Sequence, residues 1–262
     1  MNYAVVSSTD DPKYAFFLPI VCRLWKEIGY EPLVLLVRGD WKKAVLDVVL
    51  NECSYYKQEW IYPVVGFKPS TAAQVGRLYA TASEEIGADD WVLTSDADMF
   101  VFDRSWFIPE KDAAKFTIYG GDAYAGKPRW PICYIGARAS TWKSHFSVFS
   151  GDNVNSAMGR ELDKGRVDDW NLDENIAGEL ITPDCAVVKP RGWAEGRALH
   201  RQDRAAWSPS PGPYFDCHAL RPGYAFDNWY KLLSLLRFHA PSLGDWAEGY
   251  WRTFVKETGK ET

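Results

Sequence analysis

Trp91-Val92-Leu93-Thr94-Ser95-Asp96-Ala97-Asp98-Met99-Phe100 is the stretch on which the reading of this chain turns. A short apolar run ends abruptly in two carboxylates separated by one small residue. The run reads as a buried strand. Carboxylates at the end of a buried strand are costly unless they are paired or hold a cation. Two acids at i and i+2 can reach one ion where the chain turns, and such an oxygen-rich pair suits Mn²⁺ or Mg²⁺. The simplest task for that ion is to carry a substrate phosphate. The competing reading is a strand-end turn in which Asp caps backbone N–H groups.

Upstream, strands alternate with helices. Residues 3–6 form a short apolar strand closed by Ser7-Ser8-Thr9-Asp10. Asp11 and Pro12 read as an N-cap followed by proline at the first helical position, opening a helix to about Ile28 that Pro19 should kink. Strands are expected at 33–37, 61–65 and 91–94, and helices over 41–50 and 70–86, the latter capped by Ser70. This alternation predicts βαβ units and a largely parallel sheet with helices on both faces. Ligands gather at the carboxyl ends of the strands in such sheets. Ser7 to Asp10 and Asp96 to Asp98 both fall at strand ends, so two polar clusters are expected on one edge.

After Asp98 the loops lengthen and Gly, Pro and Trp cluster, as at 119–124, 126–131 and 208–213. A strand is expected at 132–135. Helices are expected at 140–149, 173–180, 228–238 and 245–256. Trp246, Tyr250 and Phe254 fall at helical spacing and read as core. We expect one domain, 1–262, with a nucleotide-binding half (1–98) and an acceptor- and metal-facing half (99–262).

Composition narrows the field. The chain has 262 residues and a net charge of −5, which argues against a general nucleic-acid binder. An acidic protein that handles phosphates needs local Arg or Lys, or a metal. Five widely spaced cysteines without a CxxC pair read as reduced thiols. No apolar run approaches the ~20 residues of a membrane span, and no secretory signal is visible. A soluble cytoplasmic protein, either free or peripheral to a membrane, is the expectation. Thirteen Trp suit either an aromatic core or stacking against sugar rings.

Asp96-Ala97-Asp98 resembles the DxD motif of GT-A-fold glycosyltransferases, where a bound metal holds the diphosphate of a nucleotide sugar. The resemblance implies a GT-A-like, Rossmann-type mixed and mostly parallel sheet in an α/β domain. It implies that Ser7, Ser8, Thr9 and Asp10 receive the nucleoside of a UDP- or GDP-linked donor, and that Arg77, on the helix before the DxD strand, faces the nucleotide. Arg77 could equally be a solvated helix-face charge. Trp170-Asn171-Leu172-Asp173-Glu174-Asn175 resembles the Asp-Gln element of family 8 glycosyltransferases, which faces the donor sugar. Glu174 stands where Gln is usual. Asp173 and Glu174 are therefore the catalytic candidates, as a general base for the acceptor hydroxyl or as holders of sugar hydroxyls; the plainer reading is acid at a helix start, favoured by the helix dipole. Asp169 and Asp173, four apart, could share a helix face.

The segment from Asp216 to Tyr224 resembles the late His-containing element of the same families. It implies His218 as third metal ligand beside Asp96 and Asp98, and Arg221 at the diphosphate. The spacing is compressed and Gly223 follows Pro222 rather than preceding it. His200 is the rival ligand. Gly120, Gly121, Asp122 and Trp130 lie where such enzymes shape the acceptor pocket. The expected activity is metal-dependent transfer of a hexosyl or pentosyl group to a hydroxyl of a glycan or similar acceptor.

Other classes fit less well. A nucleotidyltransferase would share much of the fold, but the loop after the first strand contains no Gly. A haloacid-type phosphatase requires Thr or Val where Phe100 stands. No GxxxxGK[ST] is present. A non-catalytic nucleotide- or carbohydrate-binding protein on a degenerate transferase fold is the alternative from a different class.

Overall fold

The computed structural model describes the whole chain except residues 54–59, 110–114, 193–197, 209, 211 and 260–262. Part of the 208–213 loop expectation thus lies outside the described residues. The amino-terminal half follows the predicted alternation: β1 (Asn2–Ser8), α1 (Pro12–Ala15), α2 (Leu18–Glu27), β2 (Glu31–Leu36), α3 (Lys43–Glu52), α4 (Pro69–Gly76) and β3 (Trp91–Ser95). Next come β4 (Met99–Val101), β5 (Phe116–Tyr119), β6 (Ile135–Arg138), α5 (Ala139–His145), α6 (Val154–Leu162) and α7 (Leu172–Leu180). The chain ends with β7 (Ala186–Lys189), β8 (Arg201–Asp203), β9 (Asp216–His218), α8 (Phe226–His239) and α9 (Pro241–Thr258).

Two sheets result. The larger has six strands in the order β2-β1-β3-β6-β5-β7. β1 runs parallel to β2 and β3, β6 runs antiparallel to β3 and β5, and β7 is parallel to β5. The smaller sheet has the order β4-β9-β8. The period-2 alternation of buried strands divides the core. Ala4, Val6, Val34, Leu36 and Leu93 pack on one face with α2, α3, α8 and α9. Tyr3, Val5, Leu33, Leu35 and Val92 pack on the other with α4 to α7. Gly136 on β6 keeps the sheet closed: a Cβ there would lie 2.6 Å from the Trp91 ring.

Several sequence expectations shift. The helix predicted from Pro12 to Ile28 is broken at Phe16 and Phe17, and Pro19 sits in the first turn of α2, where a missing N–H costs nothing. The strand expected at 61–65 reduces to one bridge, Ile61 to Val37, because Pro63 cannot donate to a ladder. α4 is entered at Pro69 with Lys68 as N-cap, so Ser70 is not the cap. It tightens into a 3₁₀ segment over Arg77–Ala82. The apolar run 132–135 is not a strand before Ile135. The hydroxyl of Thr94 donates to the Ile132 carbonyl (2.8 Å) and accepts from the Ile135 N–H (2.8 Å), and β6 begins only there. Tyr250 and Phe254 are buried, with Trp246 packed against the same core. All five cysteines are free. No described helix is long and apolar enough to cross a membrane.

Candidate active site

The strand order 2-1-3 reverses at β1, so the crevice beyond the carboxyl ends of β1 and β3 is a topological switch point. A cavity of about 330 Å³ opens there. Ser7, Ser8 and Thr9 line it from the end of β1, and Asp96 and Asp98 from the end of β3. The small sheet forms the opposite wall through Asp203 and His218, joined by Arg204 and Arg221. The two polar clusters read from sequence therefore meet in one cavity.

Arg77 is the hinge of its inner end. The guanidinium is buried at 5% exposure and pairs with Asp96 and, at 2.6 Å, with Asp173. It donates as well to the Ser95 carbonyl (3.3 Å). Burial works against this cation, but Asp96 and Asp173 outweigh it and raise its pKa. Arg77 thus ties the Asp96–Asp98 turn to α7 and is not a solvated helix-face charge. Asp173 is fully buried and also accepts from the Glu174 N–H (2.9 Å). Burial raises its pKa, opposed by Arg77. Asp169, by contrast, is exposed and lies ahead of α7, so the shared helix face is not formed.

Glu174 faces the cavity beside this network. Its Oε1 accepts from the Tyr124 hydroxyl (2.9 Å) and its Oε2 lies 3.4 Å from Arg129. Burial raises its pKa too. Trp170, 59% exposed at the same rim, offers a free ring face. Most of the other described Trp side chains are packed: Trp25, Trp142 and Trp229 are among the largest fully buried groups.

Asp98 is the most heavily paired residue of the site. Its Oδ2 lies 2.8 Å from Arg204, 3.3 Å from Arg221 and 3.5 Å from His218 Nε2. Burial pushes the Asp98 pKa up, but the His218 hydrogen bond and the charges of His218, Arg221 and Arg204 hold it at about 2. Burial lowers the His218 pKa, and contacts with Asp203 and Asp98 more than restore it, so the net shift is upward. Arg221 also lies over the Tyr14 ring and donates to its hydroxyl. His200 is not among the cavity residues; its ring packs on Phe215. Of the two rival histidines, His218 is the one at the site.

Asp10 is placed elsewhere. Its carboxylate accepts from the Asp40 N–H (2.7 Å) and braces the turn at Gly39, where a Cβ would come within 2.6 Å of it. Ser7 donates to the Ala73 carbonyl and Ser8 to the Thr9 carbonyl, so the β1 loop is ordered by its own hydroxyls. Gly120, left-handed at φ +74°, lines the cavity, whereas Gly121, Asp122 and Trp130 line a neighbouring hollow. Trp130 Nε1 donates to the Ile181 carbonyl there (2.8 Å).

Sequence reasoning missed Arg204, Arg201, Arg191 and Tyr124. The alternation Arg201, Asp203 was a signal for two side chains on one face, but a three-residue strand is too short to stand out. As they stand, no three His, Cys, Asp or Glu side chains among the described residues gather closely enough to hold an ion. Asp98 and His218 are together, while Asp96 turns to Arg77.

No family model matches the chain, and no curated protein matches it in sequence. Solved structures do match in shape. The galactosyltransferase LgtC, in complex with donor and acceptor sugar analogues, superposes with a TM-score of 0.52 at 11% identity, over 98% of this chain and 96% of its own. An active-site mutant of LgtC gives 0.52 at 12% identity, over 92% and 96%. The bifunctional glycosyltransferase WbbM gives 0.54 at 9% identity, over 94% of this chain and 51% of its own. The six-stranded sheet, its switch-point cavity and these superpositions together identify the architecture as the GT-A glycosyltransferase fold.

Proposed function

We propose that the protein transfers a sugar from a nucleoside diphosphate donor, UDP- or GDP-linked, to a hydroxyl of a carbohydrate or glycoconjugate acceptor. The observation that carries this reading is the meeting, in one switch-point cavity, of the β1 loop, the Asp96/Asp98 turn, the cations Arg204 and Arg221, and His218. In this reading Ser7, Ser8 and Thr9 receive the nucleoside, and residues 1–98 form the nucleotide-facing half. Asp10 acts one step back, by fixing the turn that follows β2.

Two carboxylates and an imidazole are donors that suit Mn²⁺ or Mg²⁺. Asp98 and His218 already stand side by side, with Asp96 on the same rim. Asp96, Asp98 and His218 would hold the ion, which when bound would neutralise charge building on the leaving diphosphate. Arg221 and Arg204 add fixed positive charge to the same place. Arg77 positions: it holds Asp96 and Asp173 at fixed separation, so the sugar-facing end of α7 stays in register with the DxD turn. Glu174, which lines the cavity and has a raised pKa, is suited to take the acceptor hydroxyl proton. Asp173, buried against Arg77, is suited to orient rather than to exchange a proton.

Calorimetric titration with UDP and with GDP, in Mn²⁺ and again in EDTA, tests the proposal. One nucleotide should bind, and chelation should weaken it by at least about tenfold, or 1.4 kcal/mol. Absence of binding by both nucleotides under both conditions would refute the donor assignment. Equal binding with and without chelator would refute the metal assignment alone.

A further inference from the structure

The small sheet carries a second charged cluster beyond Asp98. β8 and β9 pair in parallel with Arg201 opposite Asp216 and Asp203 opposite His218. Side chains two apart share a face, so Arg201 and Asp216 lie on the cavity side about 7 Å along the strands from Asp203 and His218. Asp216 is fully buried and receives two guanidinium groups at once. Arg191 donates to both its oxygens at 2.7 and 3.0 Å, and Arg201 does so at 3.1 and 3.0 Å.

Two cations here share one anion. The Arg191 and Arg201 side chains are 1% and 8% exposed, and both line the cavity. Among the described residues no second carboxylate lies within ion-pair distance of either. The Nε of Arg191 is buried without a hydrogen-bond partner. The remaining polar contact of Arg201 is the Cys133 sulfur at 3.9 Å. A buried surplus charge is expensive, and an anion entering the cavity would balance it. Arginine is the side chain best shaped for a carboxylate, through paired N–H donors.

We propose that this end of the cavity binds a sugar bearing a carboxylate, of the uronic acid class. The inference rests on the donor reading above. The cluster lies about 7 Å from His218, roughly the span of one sugar ring beyond a diphosphate held there. That position lies beside the bond being exchanged, so the acid belongs either to the transferred sugar or to the acceptor. A neutral hexose offers these guanidinium groups no anion beyond Asp216 and the nearby Asp203.

The test compares matched sugars on the wild-type protein. In the donor arm, UDP-glucuronate is titrated against UDP-glucose, or the GDP-linked pair if GDP is the nucleotide bound. In the acceptor arm, methyl glucuronoside is titrated against methyl glucoside with the nucleoside diphosphate saturating. One arm should show at least about tenfold tighter binding of the acid, the effect of one good charge-assisted contact, and that arm identifies the source. Arg201→Gln should bring acid and neutral sugar within about twofold of each other. A merely structural role would instead weaken both sugars alike. Acid and neutral sugars binding equally in both wild-type arms would overturn the inference, as would a folded Arg201→Gln protein that keeps the preference. Failure of the wild-type protein to bind UDP and GDP would overturn the donor reading and this inference with it.

Discussion

Removing the Arg77 guanidinium should cost more stability than removing any surface charge of this protein. Arg77 is 5% exposed and Asp173 1%, and they meet at 2.6 Å with no solvent between them. Breaking a buried pair by deleting one partner typically costs about 3–5 kcal/mol, because it strands the other charge. In Arg77→Ala the stranded group is Asp173, with Asp96 nearby and 30% exposed. For a chain of this size each kcal/mol moves the midpoint by about 2 °C, so the variant should melt roughly 6–10 °C lower at pH 7. The sign of the pH dependence is a sharper check. Burial already sets the Asp173 pKa above its ordinary value, and loss of Arg77 removes what opposes this. A carboxyl whose folded pKa is raised favours the folded state when protonated. The penalty of Arg77→Ala should therefore shrink as pH falls through that raised pKa towards the unfolded value near 4. The double variant Arg77→Met/Asp173→Leu should recover at least half of the loss, since replacing both charges by apolar groups leaves none uncompensated. Urea denaturation between pH 4 and 8 measures all three proteins. An Arg77→Ala loss below about 1 kcal/mol, the range of an exposed pair, would refute this account of the network.

Two further outcomes follow from the same cavity. Asp98 has its pKa held at about 2 against an ordinary 3.8, which corresponds to about 2 kcal/mol of stability present above pH 3.8 and lost as pH falls towards 2. Asp98→Asn should show no such acid loss, so the gap between wild type and variant in chemical denaturation should narrow below pH 4; a constant gap would mean that Asp98 is not held by these cations. Glu174→Gln keeps an acceptor for the Tyr124 hydroxyl and should fold normally. Its transfer rate should fall at least about 100-fold if the carboxylate takes the acceptor proton, and wild-type turnover in that variant would remove Glu174 from the reaction.

The sequence by itself determined the parallel β2-β1-β3 part of the sheet and the edge at which chemistry gathers. Apolar runs at 3–6, 33–37 and 91–94 made the strands legible, and alternation along them decided which side chains enter which core layer. Asp96 and Asp98 were legible because two acids directly after a buried strand violate the local pattern. Short-range signals such as these are read within one element. Where a competing local rule acted, as Pro63 does after Ile61, the reading failed.

Tertiary structure alone decided how the charges pair. Arg77 and Asp173 are 96 residues apart in the chain, and Arg204 and Asp98 are 106 apart. No periodicity links such positions. Arg77 meets Asp173 because α7 packs on α4, and Arg204 meets Asp98 because β4 joins β9 and β8 in a separate sheet of three-residue strands, too short to be read from alternation. Asp10 shows the converse: a polar residue at a strand end looks like a ligand group in sequence, yet the turn after β2 reaches back and takes its carboxylate. A local pattern tells where a charge is costly, and only the packing of distant segments determines which opposite charge relieves that cost.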